Sequence, residues 1–169
     1  MFSVLNKTPF ISIVGRSGSG KTTLLEKLVS FFCATGLKVG AVKHSSHASV
    51  PFDSPGKDTW RYAQAGSSHV VLVTPDRILS QRLLDRQPLL SEVLAEMEGL
   101  DLVLVEGWAR QGARLVEVVS RETGLEPVNP VEKLIALVSE LPVNAAGLPI
   151  FDRNDVQSLA DFLRIEIGF

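Results

Sequence analysis

Residues 15–23 read GRSGSGKTT, and they close a short apolar run rich in β-branched residues, FISIVG (10–15). Gly15-Arg16-Ser17-Gly18-Ser19-Gly20-Lys21-Thr22 satisfies the spacing G-x-x-x-x-G-K-[ST], with a strand pattern before it and a helical pattern after it. The chemistry requires that composition. Successive backbone N–H groups must turn inward to form an anion cavity. The backbone angles this demands, and the close approach of phosphate, are met at low steric cost only by glycine. The N-terminus of the following helix adds its partial positive charge. A strand that feeds such a loop into a helix excludes all-α and all-β architectures and points to an α/β sheet.

The remaining pattern extends that reading. TTLLEKLVSFFCAT (22–35) places Leu24, Leu25, Leu28 and Phe31 or Phe32 at helical spacing, with Gly36 as a stop. LKVGAVK (37–43) reads as a strand, the Pro-broken stretch 44–56 as a loop, and KDTWRYAQAG (57–66) as a short helix. HVVLVT (69–74) and RILSQRL (77–83) flank Pro75 and Asp76 and read as a hairpin. PLLSEVLAEMEG (88–99) is expected to be a helix. DLVLVE (101–106), ARLVEVVS (113–120) and KLIALVS (133–139) are expected to be buried strands, and NDVQSLADFL (154–163) a closing helix. Strands thus alternate with helices, the hairpin excepted. The expectation is a single P-loop NTPase domain over 1–169, a mainly parallel sheet flanked by helices with a protruding β-hairpin.

Within that frame Lys21 is placed to reach the β- and γ-phosphates, Thr22 to offer its hydroxyl to Mg²⁺, and Thr23 to touch the α-phosphate. A second acid is expected on a neighbouring strand, and DLVLVE offers Asp101 and Glu106. Ligands lie at the carboxyl ends of parallel strands. Asp101 starts its strand, about 16 Å from that edge at ~3.3 Å per residue, so Glu106 is the metal-side candidate, acting through a water. The loop after the second strand carries Lys43, His44, His47, Asp53, Lys57 and Asp58 and leaves from the same edge. Asp53 or Asp58 is placed to hold an attacking water or the metal. Trp108 and Arg110 follow Glu106 and read as surface residues or as contacts to a ring substrate. Glu140, at the end of a late strand, is a candidate carboxylate for a base. Cys33 reads as core packing within the first helix.

Charge narrows the partners. The net charge of −2 argues against a general nucleic-acid or membrane binder, so phosphate recognition must be local. One cysteine permits no intrachain disulfide, and no apolar run approaches the ~18 residues of a membrane span. The first residues lack a signal-peptide pattern, and the expected location is cytoplasmic.

Five stretches occur in order: ISIVGRSGSGKTTLLEKL, VGAVKHSSH, PGKDTWRYAQAG, LVLVEGW and LPIFDRNDVQSLADFL. Together they resemble the MobB family of molybdopterin-guanine dinucleotide biosynthesis, over nearly the whole chain. The resemblance implies a GTP-binding protein with weak GTPase activity, working beside a MobA-like molybdenum cofactor guanylyltransferase. It also implies a homodimer in which hairpin strands cross to the partner, which would account for 69–83. By motif match, Gly15 to Thr23 bind phosphate, Thr22 and Glu106 serve Mg²⁺, and the Lys43–His47 and Gly56–Asp58 stretches border the nucleotide. Two departures stand out. The histidines enclose Ser-Ser rather than acidic residues, and Glu-Gly-Trp-Ala-Arg replaces the family's Glu-Gly-Phe-Lys.

Four functions are therefore in contention: a slow GTPase, a small-molecule kinase with RQGAR (110–114) as a lid, a nucleotide-switched adapter, and a nickel-chaperone-like GTPase. No arginine finger is evident: Arg16 lies within the loop and reads as a solvent-facing residue or as one that serves across a dimer. Slow turnover is expected.

Overall fold

The computed structural model describes residues 8–46, 53–145 and 147–168. FISIV forms β1 (Phe10–Val14), and the helix that follows the glycine loop is α1 (Lys21–Ala34). Then come β2 (Val39–Lys43), α2 (Asp58–Gln64), the pair β3 (His69–Val73) and β4 (Ile78–Arg82), and α3 (Leu90–Ala95). The chain finishes with β5 (Leu102–Glu106), β6 (Leu115–Val118), β7 (Leu134–Val138), β8 (Ile150–Phe151) and α4 (Val156–Ile167). Contacts gather these into two compact units, one running to His44 and resuming at Leu89, the other Ser45–Pro88.

The first unit is built on a six-stranded sheet of order β2-β5-β1-β6-β7-β8, every pair parallel. Its central strands are buried on both faces, as their unbroken apolar runs require. Ile11, Ile13, Leu102, Leu104, Val116 and Val118 face α1 and α4, where Leu24, Leu25, Leu28, Phe32, Leu159 and Leu163 complete one core. Alternate residues face the other way. Val103 and Val105 pack with Leu90 and Trp108, and Val14 with Leu115, Leu134 and Leu137. Of the two phenylalanines left open by the helical spacing, Phe32 is the fully buried one.

Strict alternation of strands and helices does not hold. Among the described residues no α-helix separates β5, β6, β7 and β8. Between β5 and β6 the chain instead doubles back across β1, and the crossing is possible because two residues are small. A Cβ at Gly112 would lie 2.6 Å from Ser12 Oγ, and Ser12 is fully buried beneath it. Trp108 and Arg114 bracket this crossing, both at φ 58°. That is an uncommon conformation for residues with side chains. Helix α3 is also shorter than the pattern over 88–99. Beyond Ala95 the chain turns so that Met97 and Leu100 pack on Gly40 of β2, where a Cβ would come within 2.6 Å of each.

In the Ser45–Pro88 unit, β3 and β4 pair antiparallel with Leu72 opposite Leu79 and Val73 opposite Ile78. Thr74 N–H donates to Arg77 O at 2.9 Å, closing the turn around Pro75 and Asp76 as the sequence implies. Little of this unit is buried: Val70 is its only buried apolar residue among those described, and α2 has none. Val71, Leu72, Val73, Ile78 and Leu79 are all exposed.

Candidate nucleotide site

The glycine loop turns as its composition requires. Gly15, Gly18 and Gly20 have φ of 134°, 80° and 95°. A Cβ at Gly15 would sit 2.3 Å from Val118 O, so the strand end admits nothing larger. Gly20 caps α1, leaving the first helical amides at the loop. Lys21 Nζ donates to Arg16 O at 2.6 Å, folding the ammonium back over the loop. Burial holds its pKa below the ordinary lysine value; Glu106 opposes that shift and Lys43 adds to it.

Three strands and one helix meet at Glu106. The carboxylate ends β5 at the rung it shares with Ile13 of β1 and Lys43 of β2. Thr22 Oγ1, at the start of α1, donates to Glu106 Oε2 at 2.9 Å, and Lys43 Nζ pairs with Oε1 at 3.0 Å. The carboxylate is therefore held from both sides, and its side chain is only 12% exposed. A hydroxyl and a carboxylate brought together at this edge are hard oxygen donors, the kind magnesium takes. The pair Thr22–Glu106 thus fits the expected ion. Asp101 lies at the opposite end of β5, where its Oδ2 accepts from Lys38 N–H at 2.7 Å.

His44 follows Lys43 directly. Its N–H donates to Glu106 O at 2.9 Å, and its ring stacks on Trp108 with centroids 4.7 Å apart and planes inclined by 28°. Trp108 is thus neither a surface aromatic nor free for a ring substrate. It is 9% exposed and packs with Leu90, Val103 and Val105, because the crossing over β1 turns it inward. Arg110 is exposed. RQGAR is tied down rather than standing free as a lid: Gly112 abuts Ser12, and Gln111 Oε1 accepts from Leu90 N–H at 2.8 Å.

Several contacts around the loop had no sequence signal. Arg16 is exposed, yet it donates to Thr123 O at 3.0 Å and Glu126 O at 3.4 Å, fastening the loop to the chain after β6. Arg153, after β8, donates to Ser19 O at 3.3 Å and pairs with Glu140. Glu140 Oε1 also accepts from Arg121 N–H at 2.9 Å, which holds its carboxyl below the usual carboxylate range. Both oxygens of the candidate base-reading carboxylate are thus engaged within the protein. Glu117, buried on β6, accepts from Val128 N–H, Asn129 N–H and Asn129 Nδ2 and fixes that loop.

The other candidates fall elsewhere. Asp53 and Asp58 belong to the Ser45–Pro88 unit. Asp53 accepts from Thr59 Oγ1 and Ser54 N–H, which lower its pKa, and Asp58 pairs with Arg61 across one helical turn. His47 lies outside the described residues. Cys33 is exposed, not in the core: the buried stripe Leu24, Leu25, Leu28 and Phe32 fills the inner face of α1 and turns Cys33 outward. Among the described residues no three His, Cys, Asp or Glu side chains stand together as a metal cluster, and no helix is long and apolar enough to cross a membrane.

Residues 10–140 match the family model MobB, molybdopterin guanine dinucleotide synthesis protein B. The molybdopterin-guanine dinucleotide biosynthesis adapter protein of Escherichia coli (strain K12) is 34% identical over 161 residues, covering 92% of this chain and 91% of that protein. The adapter protein of Haemophilus influenzae (strain ATCC 51907 / DSM 11121 / KW20 / Rd) is 34% identical over 164 residues, covering 94% and 89%. The crystal structure of Bacillus subtilis MobB superposes with a TM-score of 0.74 at 25% identity, covering 94% of this chain and 98% of that one.

Proposed function

The chain belongs to the MobB family, and from that membership we propose that it is a GTP-binding adapter protein of molybdopterin-guanine dinucleotide biosynthesis with slow, Mg²⁺-dependent GTPase activity. The observation that carries the nucleotide reading is the joining of the glycine loop, Thr22 and Glu106 at one sheet edge. The loop amides and Lys21 bind the phosphates, with Lys21 swinging from Arg16 O to the β- and γ-oxygens. Arg16, Ser17, Ser19 and Thr23 complete the loop's contacts, and Lys43 and His44 border it. Thr22 and Glu106 would hold Mg²⁺, which when bound offsets charge developing on the transferred phosphate. Asp53 or Asp58 is the proposed holder of the attacking water or the metal.

Slow turnover follows from what Arg16 does. A guanidinium fastened to two carbonyls of the next loop is not poised over a γ-phosphate. Hydrolysis by the isolated protein should fall far below the roughly 10 per second of GAP-stimulated GTPases. The apolar hairpin supports a homodimer, since exposed strand edges pair with other chains. A MobA-like guanylyltransferase is the proposed partner and the cytoplasm the proposed site of action. The single fold-level assignment proposed is one P-loop nucleotide-binding domain carrying the hairpin.

Calorimetric titration with GTP, ATP and GDP, with and without Mg²⁺, tests this reading. GTP binding strengthened by Mg²⁺ is the expected result, and ATP preference or indifference to metal would refute it. A second reading, a switched adapter without catalysis, is favoured by the adapter role that the relatives' names carry. Glu106→Gln separates the two. Cofactor maturation that survives the loss of hydrolysis selects the pure adapter.

A further inference from the structure

We propose that Lys43 is a built-in rival of the divalent metal for Glu106, and that the His44–Trp108 stack registers which of the two holds the carboxylate. This rests on the reading that Thr22 and Glu106 hold Mg²⁺. The rivalry is fixed by the sheet rather than by a loop. Lys43 and Glu106 share one rung of the parallel pair β2–β5, so the ammonium is delivered to the carboxylate by strand register. Glu106 divides its oxygens, Oε2 to the Thr22 hydroxyl and Oε1 to Lys43. A dication seated on the Thr22–Glu106 edge would stand beside that ammonium, and like charges at such distances repel strongly when the site is partly buried. Lys43 has somewhere to go, because its side chain is 63% exposed while Glu106 is 12% exposed.

The consequence passes through one peptide unit. His44 donates its N–H to Glu106 O and lays its ring on Trp108. A Cβ added at Gly107, between Glu106 and Trp108, would stand 3.4 Å from His44 Cβ, so the two strand ends run close beside each other. Trp108 sits at φ 58° with a buried Nε1 that has no hydrogen-bond partner among the described residues, so the contacts seen to hold the indole are packing contacts. Release of Lys43 from Glu106 therefore alters the stack. His44 is also the last residue of the sheet unit before Ser45 begins the other.

The test uses the full chain carrying Trp60→Phe, which leaves Trp108 as its only tryptophan. Mn²⁺ binding is followed by electron paramagnetic resonance at saturating guanosine β,γ-imidotriphosphate, with and without Lys43→Met. The expected result is roughly tenfold tighter Mn²⁺ binding when the lysine is gone. With Lys43 present, Trp108 emission should shift on Mn²⁺ addition; in Lys43→Met the emission should start at the shifted value and stay there. Unchanged or weaker Mn²⁺ binding overturns the rivalry, and identical emission responses overturn the role of the stack. If neither protein binds Mn²⁺ beyond what the nucleotide alone holds, the metal reading itself fails. Lys43→Gln serves as a second variant should Lys43→Met not fold, and adding Glu106→Gln should erase the difference between the two proteins.

Discussion

At the scale of single residues, position along a strand separated the two acids of DLVLVE. Asp101 and Glu106 differ little in chemistry, but one begins β5 and binds the neighbouring Lys38 amide while the other ends it beside Thr22 and Lys43. The crowding of two ammonium groups around one carboxylate predicts a measurable signature. In lysine Nζ titrations followed by NMR, Lys21 should lose its proton at lower pH than a free lysine, because burial disfavours its charge. Glu106→Gln should lower the Lys21 pKa further, and Lys43→Met should raise it. A second residue-scale prediction concerns acid stability. The Glu140 pKa is depressed in the folded chain, so the unfolded chain binds the proton more readily. Its stabilisation is present above the ordinary glutamate value of 4.5 and is lost as pH falls through the depressed folded value. Denaturation midpoints of wild type and Glu140→Gln should differ most near neutrality and converge in acid. Neither Glu140 nor Arg153 could be matched from sequence, since the 12 intervening residues carry no signal of where β8 returns.

At the scale of elements, most strands and helices were readable because their apolar periods are clean. The misses have one cause, which is packing that overrides local pattern. Helix α3 stops early so that Met97 and Leu100 can fill the space over Gly40, and the β5–β6 connection forgoes a helix because it crosses β1 above Ser12. Gly112→Ala should therefore destabilise the protein by about 1–3 kcal/mol in urea unfolding, as overpacking of a well-filled site does. Gly40→Ala should cost less, because the atoms it meets are the mobile ends of Met97 and Leu100. On α1, Leu28→Ala removes a fully buried side chain from the core shared with α4 and should cost about 2–5 kcal/mol.

At the scale of the whole molecule, the two units differ in how they are held together. The sheet unit buries apolar surface on both faces, whereas the Ser45–Pro88 unit leaves most of its hairpin side chains in solvent. Surface of that kind is a contact waiting for a partner. Val73 and Ile78, opposite each other at the hairpin tip, are 68% and 73% exposed. If the hairpin forms the homodimer, Ile78→Lys should shift the sedimentation coefficient from dimer to monomer while leaving GTP binding intact. A dimer that persists would locate the interface elsewhere. The amino-acid sequence alone determined the glycine loop, the parallel sheet around it and the end of β5 that carries Glu106. Those depend on glycine spacing, apolar period and strand direction, all of which are local. Only the tertiary structure decided that Lys43 shares a rung with Glu106, that Trp108 turns inward onto His44, and that Arg16 and Arg153 are engaged by the protein itself. Such pairings depend on strand order and on where distant segments return, and neither quantity is written in any one stretch of the chain.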